Sequence, residues 1–410
     1  MGIGSAVERS LPLHGEIPEP ASRARLALAT KGFRPFFLLA AAFASCIVPI
    51  WILVLRGVVP ASVYLDPLIW HAHEMVFGFA VAVIAGFLLT AVGNWTQRET
   101  VVGGPLLALA SLWILGRVAM AFGGALPRGL PAVVDLAFLP VLIVCLGRPL
   151  VAARNGRNFV MVAILVALFA ANAVVHLDAL RVIPGGSGRR ACGVAIDIVL
   201  LMILIIAGRV FPMFTRNATG VDSIRSHPVL EVLTIAAMAV LTVLDVFVPE
   251  SVGAGGTAGV VGILALLRAA HWGTRHTTRQ PLVWILHAGY AWIPAGLLLR
   301  ALASVTPAVP ASLARHALTV GAIGSLTLGM MARVALGHTG RPLVASKAIT
   351  AAFVAITAAA FARAIVPIVV PSEYVTALYV AAGLWTVAFV LYLVRYLPVL
   401  SAPRVDGKSP

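Results

Sequence analysis

Apolar residues run along this chain in blocks of about 20, the length an α-helix needs to cross ~30 Å of hydrocarbon, and short polar breaks separate the blocks. Twelve such blocks fall near 34–55, 70–95, 105–123, 130–152, 158–182, 192–214, 228–248, 254–273, 281–303, 313–337, 347–370 and 374–397. The pattern predicts an all-α, polytopic membrane protein with about twelve transmembrane helices in one domain over 32–400. The breaks are too short to hold a soluble domain. Residues 1–31 carry Glu, Pro and Arg without an apolar core, so they are expected to form a disordered cytoplasmic tail and not a cleaved leader. Residues 401–410 are expected to be a second cytoplasmic tail.

Composition strengthens this reading. Of 410 residues, 60% are hydrophobic and only 11% charged, whereas soluble domains are roughly 25% charged. The 37 Gly and 26 Pro are tolerable in a bundle, where neighbouring helices re-satisfy broken backbone bonds. The formal charge of +15 is spread over many short loops, with no basic patch, which excludes a nucleic-acid partner. It serves instead as a topology signal. With both termini inside, the cytoplasmic breaks hold Arg98, Arg148, Arg154, Arg157, Arg216, Arg225, Arg275, Arg279, Arg341 and Lys347, while Arg189 and Arg190 lie outside. Cys46, Cys145 and Cys192 all sit in apolar runs and form no CxxC or CxxCH motif, so neither a disulfide framework nor covalent c-type haem is indicated.

The second and tenth blocks align without a gap at an offset of 243 residues. His73 falls on His316, Gly78 on Gly321, Gly86 on Gly329, Thr96 on Thr339 and Arg98 on Arg341. The sixth block joins more weakly: Thr215 falls on Thr96, but Cys192 takes the histidine position. Three units of four helices around a pseudo-threefold axis would account for this spacing.

Polar groups stand out against so apolar a background. The segment Trp70-His71-Ala72-His73-Glu74-Met75 opens the second block, and ionisable groups at that depth line an ion path, hold a metal or pair with something equally buried. Together with Gly32-Phe33-Arg34-Pro35-Phe36-Phe37, Ala85-Gly86-Phe87-Leu88-Leu89-Thr90-Ala91, Phe211-Pro212-Met213-Phe214-Thr215 and Gly337-His338-Thr339-Gly340, it resembles the NnrS family over nearly the whole chain. The resemblance implies a bacterial inner-membrane protein that contains haem and copper and is linked to denitrification and nitric oxide tolerance. The arrangement is also similar in outline to haem-copper oxidase catalytic subunits, which hold a haem between histidines of spans two and ten. That pattern is incomplete here. The sixth block lacks a histidine, the seventh has only His227 at its edge, and no adjacent His-His pair exists.

The histidines divide by position. His14, His227 and His276 lie in polar segments, His271 reads as interfacial, and the glycines around His338 suit a helix-end turn. His71 and His73 are two residues apart, hence ~200° around a helix, and cannot both face one site from within it. His316 enters the tenth block at the depth where His73 enters the second, as a ring clamped between two helices requires. Ligating imidazoles need an orienting hydrogen bond on the free nitrogen, for which Glu74 is a candidate. His176 follows Asn172 by one turn and is a further candidate ligand, in particular for copper. His287 is the most deeply apolar, but near the cytoplasmic third, roughly 20 Å from the others by helix rise. It is expected either to serve a second site or to be structural.

Arg117, Arg300 and Arg363 lie near the outer ends of their blocks, and Arg209 and Arg333 near the inner ends. A guanidinium fork suits a carboxylate, so Arg117 and Arg300 are candidate partners for haem propionates. Asp135, Asp178 and Asp197 could pair with the arginines or relay protons. The reading that results is a haem and copper metalloprotein of the inner membrane, with metal ligands among His71, His73, His176, His287 and His316. Nitric oxide is its expected ligand, and its electron donor is unspecified. The alternative is a twelve-span transporter of a small solute or metal ion.

Overall fold

Polar breaks in the sequence become helix caps in the structure. Asp66, ahead of Pro67, accepts a hydrogen bond from the Leu68 amide at 2.9 Å. Ser251 accepts one from Ala254 at 3.1 Å and Ser346 one from Ile349 at 3.4 Å. Each side-chain oxygen satisfies an amide that has no partner within the helix. At the other end of its helix, Gln97 takes a left-handed conformation (φ 53°) that stops propagation after Thr96.

The computed structural model describes residues 27–60 and 64–407. Most of the expected N-terminal tail, with His14, and residues 408–410 of the C-terminal one lie outside the described residues. Between the caps are twelve helices long and apolar enough to cross a membrane: α1 (Phe33–Leu55), α2 (Pro67–Thr96), α3 (Gly103–Ala121), α4 (Leu130–Ala152), α5 (Gly156–Ala179), α6 (Ser187–Thr219), α7 (Pro228–Phe247), α8 (Val252–Ala269), α9 (Pro281–Ala303), α10 (Ala311–His338), α11 (Lys347–Val369) and α12 (Pro371–Ser401). No strand occurs among the described residues.

Each apolar block corresponds to one helix. The largest departure is α6, whose 33 residues extend about 50 Å at 1.5 Å per residue. Its ends carry Arg189, Arg190 and Arg216, so hydropathy alone truncates it at both sides. Helices α2 and α6 are the most buried, followed by α9 and α10, and α7 is the least. This central group is wrapped by the remainder: α12 packs on α1 and α11, α8 on α9, and α5 on α6. Phe79 of α2 and Trp385 and Phe389 of α12 form one aromatic cluster, with centroids 4.8–5.6 Å apart. The Trp385 indole donates to the Ala44 carbonyl of α1 at 3.0 Å, which satisfies its one polar atom inside the bundle.

Two helices change their winding. Glu74–Ala80 in α2 and Ala317–Gly324 in α10 are π-helical. They begin directly after His73 and His316, so the sequence match at offset 243 extends to backbone geometry. A π segment re-aims the side chains before it relative to those after it, and such segments concentrate at functional sites. The matched threonines also behave alike. Thr96, Thr215 and Thr339 each donate to the carbonyl four residues back, at 2.7–2.8 Å. Helix α6 shares the threonine but has no π segment.

Candidate metal centre

Three helices bring their polar residues together at the end of the bundle that carries His71, here called outer. Helix α4 breaks at Ala137, between helical turns at Leu130–Leu136 and Phe138–Ala152. Pro140 explains the break, because it has no N–H to give to the Leu136 carbonyl. The turn that precedes it carries Asp135, whose side chain is buried. Helix α5 supplies Asn172 and His176, one turn apart, and α2 supplies His73 and Glu74 at the start of its π segment.

Their side chains converge on one carboxylate oxygen. Asp135 Oδ2 lies 3.3 Å from His73 Nε2 and 3.0 Å from His176 Nε2, and accepts from Asn172 Nδ2 at 2.7 Å. The ligand atoms of His73, Asp135 and His176 all lie within 4.8 Å of one another. The two rings meet edge to face, with centroids 5.5 Å apart. Bonds of ~2.1 Å at tetrahedral angles imply ligand separations of roughly 3.4 Å, so contacts of 3.0 and 3.3 Å are close to what a metal ion would need.

The outward nitrogens are also held. His73 Nδ1 donates to Glu74 Oε1 at 2.9 Å, and His176 Nδ1 meets the Tyr64 hydroxyl at 2.8 Å. Burial pushes the Tyr64 phenol up to about 12, which keeps it a neutral hydroxyl. Carboxylate and hydroxyl partners of this kind orient metal-binding imidazoles. Arg117 closes the network: it donates to Glu74 Oε1 at 2.6 Å and, from its other terminal nitrogen, to Asp135 Oδ1.

Both ring nitrogens of His73 face oxygens. Nδ1 meets Glu74 Oε1, and Nε2 meets Asn172 Oδ1 at 2.9 Å and Asp135 Oδ2 at 3.3 Å. A proton or a metal ion on Nε2 would satisfy those oxygens, and Arg117 offsets the charge of Glu74 and Asp135.

The other expected site residues fall elsewhere. His71 turns away from His73, stacks flat on Trp51 (centroids 4.6 Å apart, 11° between planes), and lies within electrostatic reach of His316 and Arg363. His316 donates from Nδ1 to its own helix at Ser312 O, 2.6 Å away, which leaves Nε2 with a free lone pair. His71 Nδ1 and Arg363 Nη1 are buried without a hydrogen-bond partner. His316 thus lies within electrostatic reach of His71 and outside the cluster in which His73 joins His176. Arg300 bridges Asp197 and Asp245, so both Arg117 and Arg300 already meet protein carboxylates. His287 lies at the inner end, between Thr215 Oγ1 and Thr274 Oγ1, both at 2.9 Å, with both ring nitrogens satisfied.

Asp135 and Tyr64 were the residues that sequence reasoning undervalued. Asp135 carried a signal, an acid inside an apolar block, but nothing in its spacing assigned it to histidines 41 and 62 residues away. Tyr64 gave none, since it lies in a loop before α2.

No curated protein matches the chain. A family model described as NnrS protein matches residues 27–404, nearly its full length. This multi-pass helical membrane protein, with its buried His-Asp-His cluster, belongs to the NnrS family.

Proposed function

We propose that the chain is a membrane metalloprotein of the nitric oxide response, with a transition-metal ion held by His73, Asp135 and His176. The carrying observation is the approach of His73 Nε2 to two acceptor oxygens with His176 Nε2 on the same carboxylate. Two imidazoles and one carboxylate suit copper, iron or zinc and leave coordination positions open. Copper is the metal that family membership favours. Glu74 and Tyr64 would fix the ring orientations, and Arg117 would offset the charge of Asp135 and Glu74. Asn172 would then swing its carbonyl away from the metal or join as a ligand.

A haem is the second group the family implies. The residues that fit it are His71 and His316, from α2 and α10, with Arg363 as partner for a propionate. Their fit rests on the unpartnered His71 Nδ1 and Arg363 Nη1 and on the lone pair left at His316 Nε2. A haem held there would supply electron transfer or direct nitric oxide binding. The His71 ring would keep its stack on Trp51.

Metal analysis and optical spectra of purified variants test both assignments. Asp135→Asn and His176→Ala should lose the non-haem metal and keep haem absorbance. His71→Ala and His316→Ala should do the reverse. Unchanged metal content in Asp135→Asn and His176→Ala would remove the triad assignment.

A further inference from the structure

At the inner end, the last turns of α2, α6 and α10 and the start of α5 enclose a cleft of about 550 Å³. It shares Phe87, Ile206 and Met330 with a smaller cavity of about 80 Å³ that reaches towards the middle of the bundle. The smaller cavity is apolar throughout, since the hydroxyl of its one polar residue, Thr327, donates back to Ile323 O at 2.7 Å. The cleft therefore has a polar mouth and an apolar floor.

Its charge is one-sided. Arg157, Arg209 and His338 line the mouth, and no carboxylate lines either cavity among the described residues. Arg209 of α6 and Arg157 are exposed at that mouth, and the hydrogen bond of Arg209 goes to a neutral group, Asn158 Oδ1 at 3.1 Å. Arg157 lies within electrostatic reach of it and adds a like charge. Three other arginines of the bundle do meet carboxylates: Arg117 meets Glu74 and Asp135, Arg268 meets Glu231, and Arg300 meets Asp197 and Asp245. Two guanidiniums facing a cavity without an acid make a site for an anion. A small inorganic anion would leave most of the volume and the apolar floor unused, since a single water occupies only ~30 Å³. A largely apolar cavity with a few convergent polar groups is the usual form of a small-molecule site.

We infer that this cleft binds an organic anion whose head group meets Arg157 and Arg209 and whose apolar body lies along Phe87, Ile206 and Met330. The inference is independent of the metal assignments, which concern the other end of the bundle.

Trp95 lines the cleft and provides the readout. The full chain in lipid nanodiscs would be titrated with bromododecanoate, a heavy-atom quencher with a carboxylate head. The Trp95 signal is the difference between wild type and Trp95→Phe. Saturable quenching of that component is expected. It should weaken at least tenfold in Arg157→Gln/Arg209→Gln and recover in part in Arg157→Lys/Arg209→Lys, with helical circular dichroism unchanged. Equal quenching by uncharged bromododecanol, or no effect of the double Gln substitution, would overturn the proposal. So would displacement of the probe by inorganic phosphate at equal concentration, because that result marks a bare anion site.

Discussion

Asp135 receives His73, His176 and Asn172 on one oxygen and Arg117 on the other, so its removal would take a partner from all four. Glu74 acts at one remove by orienting His73. Glu74→Gln is expected to weaken metal binding about 10–100-fold, the usual cost of losing an orienting partner, as read by metal titration. Arg117→Ala should destabilise the bundle by about 3–5 kcal/mol in denaturant unfolding, because it leaves two buried carboxylates uncompensated. At this scale the sequence was partly legible. His73 and His176 stand out as imidazoles in apolar runs, and Glu74 as the neighbour of one. Which histidine meets which was not legible. His71 and His73 differ by ~200° around a helix, and only the positions of α4 and α5 decide that His73, not His71, meets Asp135 and His176.

The π segments are the feature of the helices that hydropathy cannot display, because π and α winding use the same apolar residues. Their placement directly after His73 and His316 ties winding to the polar groups. Close packing accompanies them. A Cβ on Gly321 would lie 2.5 Å from Trp292 Cγ, and one on Gly78 would lie 2.8 Å from the Phe43 ring. Gly321→Ala is therefore expected to cost ~1–3 kcal/mol as overpacking, measured against wild type in the same unfolding assay. The glycine match between the second and tenth blocks was visible in the sequence. Its cause, an aromatic ring against each helix, was not, since the rings come from α9 and α1.

For the whole molecule, twelve crossings place both described ends on one side of the membrane, and the loop charges favour the cytoplasm. Reporter fusions at the two termini should both give a cytoplasmic signal. Metal binding should also be felt globally. A ligand at 100 times its Kd stabilises the folded state by about 2.7 kcal/mol, so a chelator should lower the unfolding temperature of wild type and leave His176→Ala unchanged. The sequence by itself determined the class, the number of helices and their approximate ends, because crossing a bilayer requires a run of apolar residues that is local along the chain. It also marked the polar residues that needed an explanation. The tertiary structure alone decided how those residues are shared out. The His73-Asp135-His176 cluster and the inner cleft each join side chains from separate helices, and their composition depends on helix rotation and packing that no local pattern records.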